Sequence, residues 1–158
     1  MTRVWLCGLA AVLLLGVIGY MLEPLDPDIL QLQLAFTPRA FGEVIHAWSA
    51  ADLQRYRWQL VVDYALLLAY AGFGYGLATR SRLFVTAGPV RALVARGSLP
   101  LAAGCDAVEN ALHLWLTATP RFGLPALYAC SASLALLKWL LLIGFAGLVA
   151  HALARAES

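Results

Sequence analysis

The stretch Leu99-Pro-Leu-Ala-Ala-Gly-Cys-Asp106-Ala-Val-Glu109-Asn110-Ala-Leu-His113-Leu-Trp-Leu-Thr117 decides how the rest of the chain is read. At a rise of about 1.5 Å per residue it is long enough to cross a hydrocarbon core as a helix, yet it carries four polar side chains. Asp106, Glu109, Asn110 and His113 stand at i, i+3, i+4 and i+7, so they project from one helix face. A central Asp alone costs roughly 2.5 to 3.5 kcal/mol on the insertion scale, so this face must meet a protein interior or water.

Three more apolar stretches of spanning length flank it: 4–22, 58–79 and 125–150, with 99–117 making four. Four segments cannot close a barrel, and an open sheet edge in lipid leaves backbone groups unsatisfied, so each must be a helix. The predicted fold is an all-α, integral membrane four-helix bundle forming a single domain, 1–158. The run 4–22 is longer than a signal-peptide core and lacks a small-x-small cleavage site before Glu23-Pro24, so it is read as a retained helix. A hydrophobic content of 62% against 13% charged residues agrees with a membrane chain, and a net charge of +2 with dispersed arginines excludes a nucleic-acid footprint. Cys7, Cys105 and Cys130 lie in apolar runs with no C-x-x-C spacing, which predicts buried, unpaired thiols.

The connections carry their own signals. Residues 23–57 form an outer interfacial segment in which Thr37-Pro38 starts a helix. Phe41, Val44, Ile45 and Trp48 then mark its apolar face. Before it, Leu30, Leu32, Leu34 and Phe36 alternate with Gln31, Gln33 and Ala35, predicting an extended or irregular piece on the bundle mouth. Ser49 and Asp52 resemble a capping box, with Tyr56 and Trp58 following in the aromatic belt. Residues 80–98 are expected to form an inner loop on anionic headgroups, and 118–124 a short turn between antiparallel neighbours. Arg3, Arg80, Arg82, Arg91, Arg96 and Arg155, with Glu157 the only acid, gather on one side. Arg39, Arg55, Arg57 and Arg121 lie on the other among five acids, so both termini are expected in the cytoplasm. Gly72-x-x-x-Gly76 and the pair Gly16, Gly19 read as close helix contacts.

Two more ionisable groups lie at membrane depth, Asp63 and Lys138. Counting from the span ends places Lys138 level with Asp106 and Glu109, and Asp63 nearer His113, so those pairs are predicted. Tyr70 follows Asp63 by two turns and faces the central acids, and Ser131 shares the face of Lys138. Three acids against one lysine require a protonated carboxyl, a charged histidine or a bound cation for neutrality. Glu109-x-x-x-His113 has helical ligand spacing, but no second histidine-bearing span supports a metal, and no cofactor is implied.

The Asp63-Tyr-Ala run through Tyr70 to Gly76, the Asp106-x-x-Glu109-Asn110 core and the closing Lys138-Trp139 resemble a group of small uncharacterised bacterial four-span membrane proteins, from about Leu32 onward. The resemblance implies a bacterial inner-membrane location and a polar set acting as a unit, and supplies no activity; a proline after the second-span Asp is absent here. The leading expectation is a buried pocket that binds or transforms a lipid or isoprenoid-like ligand. Glu109 and Asp106 would be the acid/base pair, with Asn110, His113, Asp63, Lys138 and Tyr70 as ligand contacts. The alternatives are proton- or ion-coupled transport, which four short helices could support only as a homodimer, and an assembly scaffold whose ion network is structural.

Overall fold

In the computed structural model the described residues are 1–81, 83–84 and 88–156; Arg82 and Glu157, both counted in the charge balance, lie outside them. The described chain is all-helical: α1 (Thr2–Leu22), α2 (Ile29–Gln33), α3 (Pro38–Ala47), α4 (Ala50–Arg80), α5 (Pro89–Ala118) and α6 (Pro125–Ala156). Three of these, α1, α4 and α6, are long and apolar enough to cross a membrane.

Local chemistry sets the helix starts. Thr37 Oγ1 accepts from Ala40 N at 3.2 Å and Pro38 occupies the first turn, where its missing N–H costs nothing. Ser49 and Asp52 form the full capping box, with Ser49 Oγ accepting from Asp52 N and Asp52 Oδ2 from Ser49 N, so α4 begins at Ala50. Phe41, Val44, Ile45 and Trp48 are all buried, as the amphipathic reading of α3 requires.

Other expectations fail for identifiable reasons. The alternating piece at 30–36 is not extended: Asp28 Oδ1 accepts from Gln31 N at 3.1 Å and caps one turn of helix, α2, which buries Leu32 and turns Leu30 outward. The expected loop 80–98 is helical from Pro89 onward, because Gly88-Pro89 is a helix start and α5 runs on through Pro100. Of the three free cysteines only Cys105 is buried; Cys7 is half-buried and Cys130 exposed, since apolar neighbours in sequence do not say which way a helix faces.

Along the sequence of helices, α1 packs on α4, α4 on α5 and α5 on α6. At one end Val4, Leu77, Leu99 and Phe145 cluster, joining all four long helices. At the other, α2 and α3 cover the ends with Leu25, Leu32, Phe41, Val44, Trp48, Tyr56, Leu116 and Tyr128. The glycine expectation divides. A Cβ at Gly76 would stand 2.8 Å from Val4 Cγ2 and one at Gly72 3.4 Å from Cys7 Sγ, so this pair does seat α1. A Cβ at Gly16 or Gly19 would have nothing within 4 Å, so these two are not required for a close helix approach.

Gly74 faces α5, where a Cβ would collide with the Leu99 side chain as far in as its own Cβ. Gly74→Ala is therefore expected to lower the unfolding midpoint in detergent, at a cost of about 1 to 3 kcal/mol for overpacking. Gly104→Ala, with nothing within 4 Å, should leave the midpoint unchanged or raise it through better helix propensity.

Candidate functional site

The interior of α4, α5 and α6 contains a polar set in which each helix supplies its part through periodicity. On α5, Asp106, Glu109, Asn110 and His113 are all buried, and none is more than 6% exposed. From α6, Lys138, 3% exposed, reaches both acids, with Nζ 3.0 Å from Asp106 Oδ1 and 2.8 Å from Glu109 Oε2. The predicted pairing of Lys138 is met by both candidates at once. An ammonium removed from water must recover its hydration from partners, and two carboxylates at these distances do so.

From α4 come Asp63 and Tyr70. Tyr70 OH donates to Asp106 Oδ2 at 3.4 Å, tying α4 to the centre of the ion cluster. Asp63 does not meet His113. Its Oδ2 accepts from Asn110 Nδ2 at 2.6 Å, and it forms no ion pair among the described residues. His113 instead shares a hydrogen bond through Nδ1 with the hydroxyl of Tyr56, whose side chain is fully buried and not in an aromatic belt. Depth alone suggested Asp63 for His113. The axial register of α4 against α5 decides otherwise: Tyr56, two turns before Asp63 on the same face, stands at the level of His113, and Asp63 at the level of Asn110. Phe41 of α3 packs edge-on against His113 with ring centroids 5.5 Å apart, so the cap seals this pair.

A cavity of about 530 Å³ adjoins the set. Its polar wall includes Asp63, Tyr70, Asp106, Asn110 and Lys138, while its opposite wall is the apolar face of α1 that includes Leu15 and Ile18. Glu109 and His113 do not line it. Glu109 lies behind Lys138, fully buried, with Oε1 lacking a partner. Ser131, on the lysine's face as expected, is also buried with its hydroxyl unpartnered.

Three residues that the sequence reading did not single out for the site also line the cavity: Gln59, Gln33 and Trp139. Gln59 was legible, standing one turn before Asp63 on the polar face of α4. Gln33 accepts from Trp139 Nε1 at 3.2 Å, joining α2 to α6 across 106 residues of sequence, and no local pattern announces that contact. Among the described residues no group of three His, Cys, Asp or Glu side chains is placed to hold a metal ion. The arrangement sets two carboxylates, a phenol, an amide and an ammonium on the wall of an otherwise apolar cavity. No family model, curated protein or solved structure matches the chain.

Lys138→Met removes one cation and leaves two buried carboxylates unpaired, an expected loss of about 3 to 5 kcal/mol in thermal or denaturant unfolding. Adding Asp106→Asn and Glu109→Gln to that variant should recover most of the loss, because the charges that were stranded are then gone.

Proposed function

We propose that the chain is a polytopic protein of a bacterial cytoplasmic membrane whose buried polar pocket binds a lipid-like amphiphile. The observation that carries this reading is the cavity itself. A volume of about 530 Å³ falls in the range of small-molecule sites, and one wall is apolar while the other holds a few convergent polar groups. Such a surface is complementary to a molecule with one polar end and one hydrocarbon end.

In this reading α5 is a fourth span. It packs between α4 and α6, and at 30 residues it extends about 45 Å at 1.5 Å per residue. Its acids turn inward, whereas Leu101, Val108 and Trp115 turn outward. Arg3, Arg80, Arg91 and Arg96 belong to the helix ends gathered near the Val4–Leu77–Leu99–Phe145 cluster, which favours that end for the cytoplasm. α3 then lies at the opposite surface, carrying the exposed pair Arg39 and Glu43, whose charge-assisted bond raises the Arg39 pKa from its ordinary value. A fluorescent reporter that matures only in the cytoplasm, fused after Ser158, is expected to be bright; a dark fusion with normal expression contradicts the orientation.

The ligand's route is lateral. Beyond the Val4–Phe145 end, α1 packs on α4 and not along α6, so the cavity lies between α1 and α6 where an apolar molecule can enter from the bilayer. Any proton exchanged with the ligand passes through Asp106 or Asp63. Glu109 acts behind Lys138, setting the charge that Asp106 presents. Gly19 lines this space with nothing near its Cβ direction, so Gly19→Trp should fill the cavity while leaving the fold intact. Mass analysis of lipid co-purified with the wild-type protein is expected to find a stoichiometric species that the Gly19→Trp protein lacks. Equal lipid content in both would count against the pocket.

A further inference from the structure

The charges that the described residues place around the pocket do not balance. Among the described residues Lys138 is the single cation on the cavity wall, and both of its ion pairs are already made, to Asp106 and to Glu109. Asp63 shares that wall, receives only an amide hydrogen bond from Asn110, and has no ion-pair partner among the described residues. One turn before it, Gln59 lines the same cavity, is 4% exposed, and has an Oε1 with no hydrogen-bond partner. A buried carboxylate without a cation and a buried carbonyl without a donor are each costly in isolation. Side by side on one face of α4, the carbonyl lacks a donor and the carboxylate lacks a cation, and a single ammonium supplies both.

We infer that the ligand is an amphiphile with a protonated amine headgroup, its ammonium seated between Asp63 and Gln59 and its hydrocarbon chain lying along Leu15 and Ile18 of α1. This rests on the pocket reading above and adds the chemical class of the head. Anionic heads are disfavoured, because a phosphate or carboxylate would meet Asp63 and Asp106 with the lysine's charge already shared by two acids. A metal ion is a poorer occupant than an organic ammonium, since no three suitable ligand side chains converge among the described residues. An ammonium requires no coordination shell; it needs a few acceptors and one opposite charge, which Asp63 and Gln59 supply.

The test compares three probes of equal chain length, dodecylamine, dodecanol and dodecyl phosphate, on protein in phosphatidylcholine nanodiscs at neutral pH. Binding is read by native mass spectrometry and by the shift in unfolding midpoint. Dodecylamine, protonated at that pH, is expected to bind at least tenfold more tightly than dodecanol, with dodecyl phosphate weakest. In Asp63→Asn the preference for the amine over dodecanol should be lost, and Gly19→Trp should abolish binding of both. Dodecanol or dodecyl phosphate binding as tightly as the amine to the wild-type protein overturns the headgroup assignment and leaves the pocket standing. If none of the three binds, or if binding ignores Gly19→Trp, the pocket reading itself fails. The wild-type comparison decides the matter even where Asp63→Asn does not fold.

Discussion

One ammonium group in an apolar interior sets the terms for the rest of this structure. Lys138 is 3% exposed, and burying it is tolerable only because Asp106 and Glu109 both stand within 3.0 Å. Those acids are one helical turn apart, so the lysine must enter α5 at a single height and a single angle. A turn of α6 by one residue, about 100°, would carry Nζ off both acids and strand three charges. The ion cluster therefore specifies register between α5 and α6, and through the Tyr70 hydroxyl on Asp106 it extends that specification to α4. Its net contribution to stability is a separate matter, since the desolvation of three charges offsets much of the Coulomb gain.

Around this cluster the polar residues divide into two environments. Asp63, Tyr70, Asp106, Asn110 and Lys138 face the cavity, while Glu109, His113 and Tyr56 do not. The second group is sealed by the cap. Phe41 contacts His113, Trp48 packs on Tyr56 at 5.1 Å between ring centroids, and Trp48 Nε1 donates to Pro27 O at 2.8 Å. The amphipathic segment thus closes the ends of α4 and α5 with aromatic rings, and the cavity opens elsewhere, beside α1. A polar stripe that looks continuous on one helix face is split by its neighbours into a part that lines the cavity and a part that is sealed from it.

The placement of α1 explains why a cavity exists. Its near end is drawn onto α4 by Gly72 and Gly76, where the absence of side chains lets Cys7 and Val4 approach. Further along, Gly16 and Gly19 have open space where a side chain would stand, and the α1 face holding Leu15 and Ile18 borders the cavity. Close packing at one end and separation at the other leave a volume whose walls differ in polarity, which is the property an amphiphile would recognise. α2 limits that volume from above through the Gln33–Trp139 hydrogen bond, one of the few polar links between the cap and α6.

The four long helices in outline, α3 and the central ion cluster were legible in the residues alone, for reasons that are local, whereas α2 and the first turns of α5 were not. A capping box needs only Ser49 and Asp52, an amphipathic helix only its own periodicity, and the height of Lys138 follows from counting along straight helices of known rise. The sequence by itself determined that Asp106, Glu109, Asn110 and His113 share a face and that Lys138 lies at their level. The packing of the helices decided which of them face the cavity, and that Asp63 pairs with Asn110 while Tyr56 takes His113. The reason is axial: Tyr56 and Asp63 share one face of α4, and which of them meets His113 depends on how far α4 is displaced along α5, a variable set by packing between the helices such as that of Gly74 on Leu99. The cavity was illegible for a related reason, because it is a gap between α1 and α6, and a residue's own neighbours in sequence encode the contacts it makes better than those its helix leaves unmade.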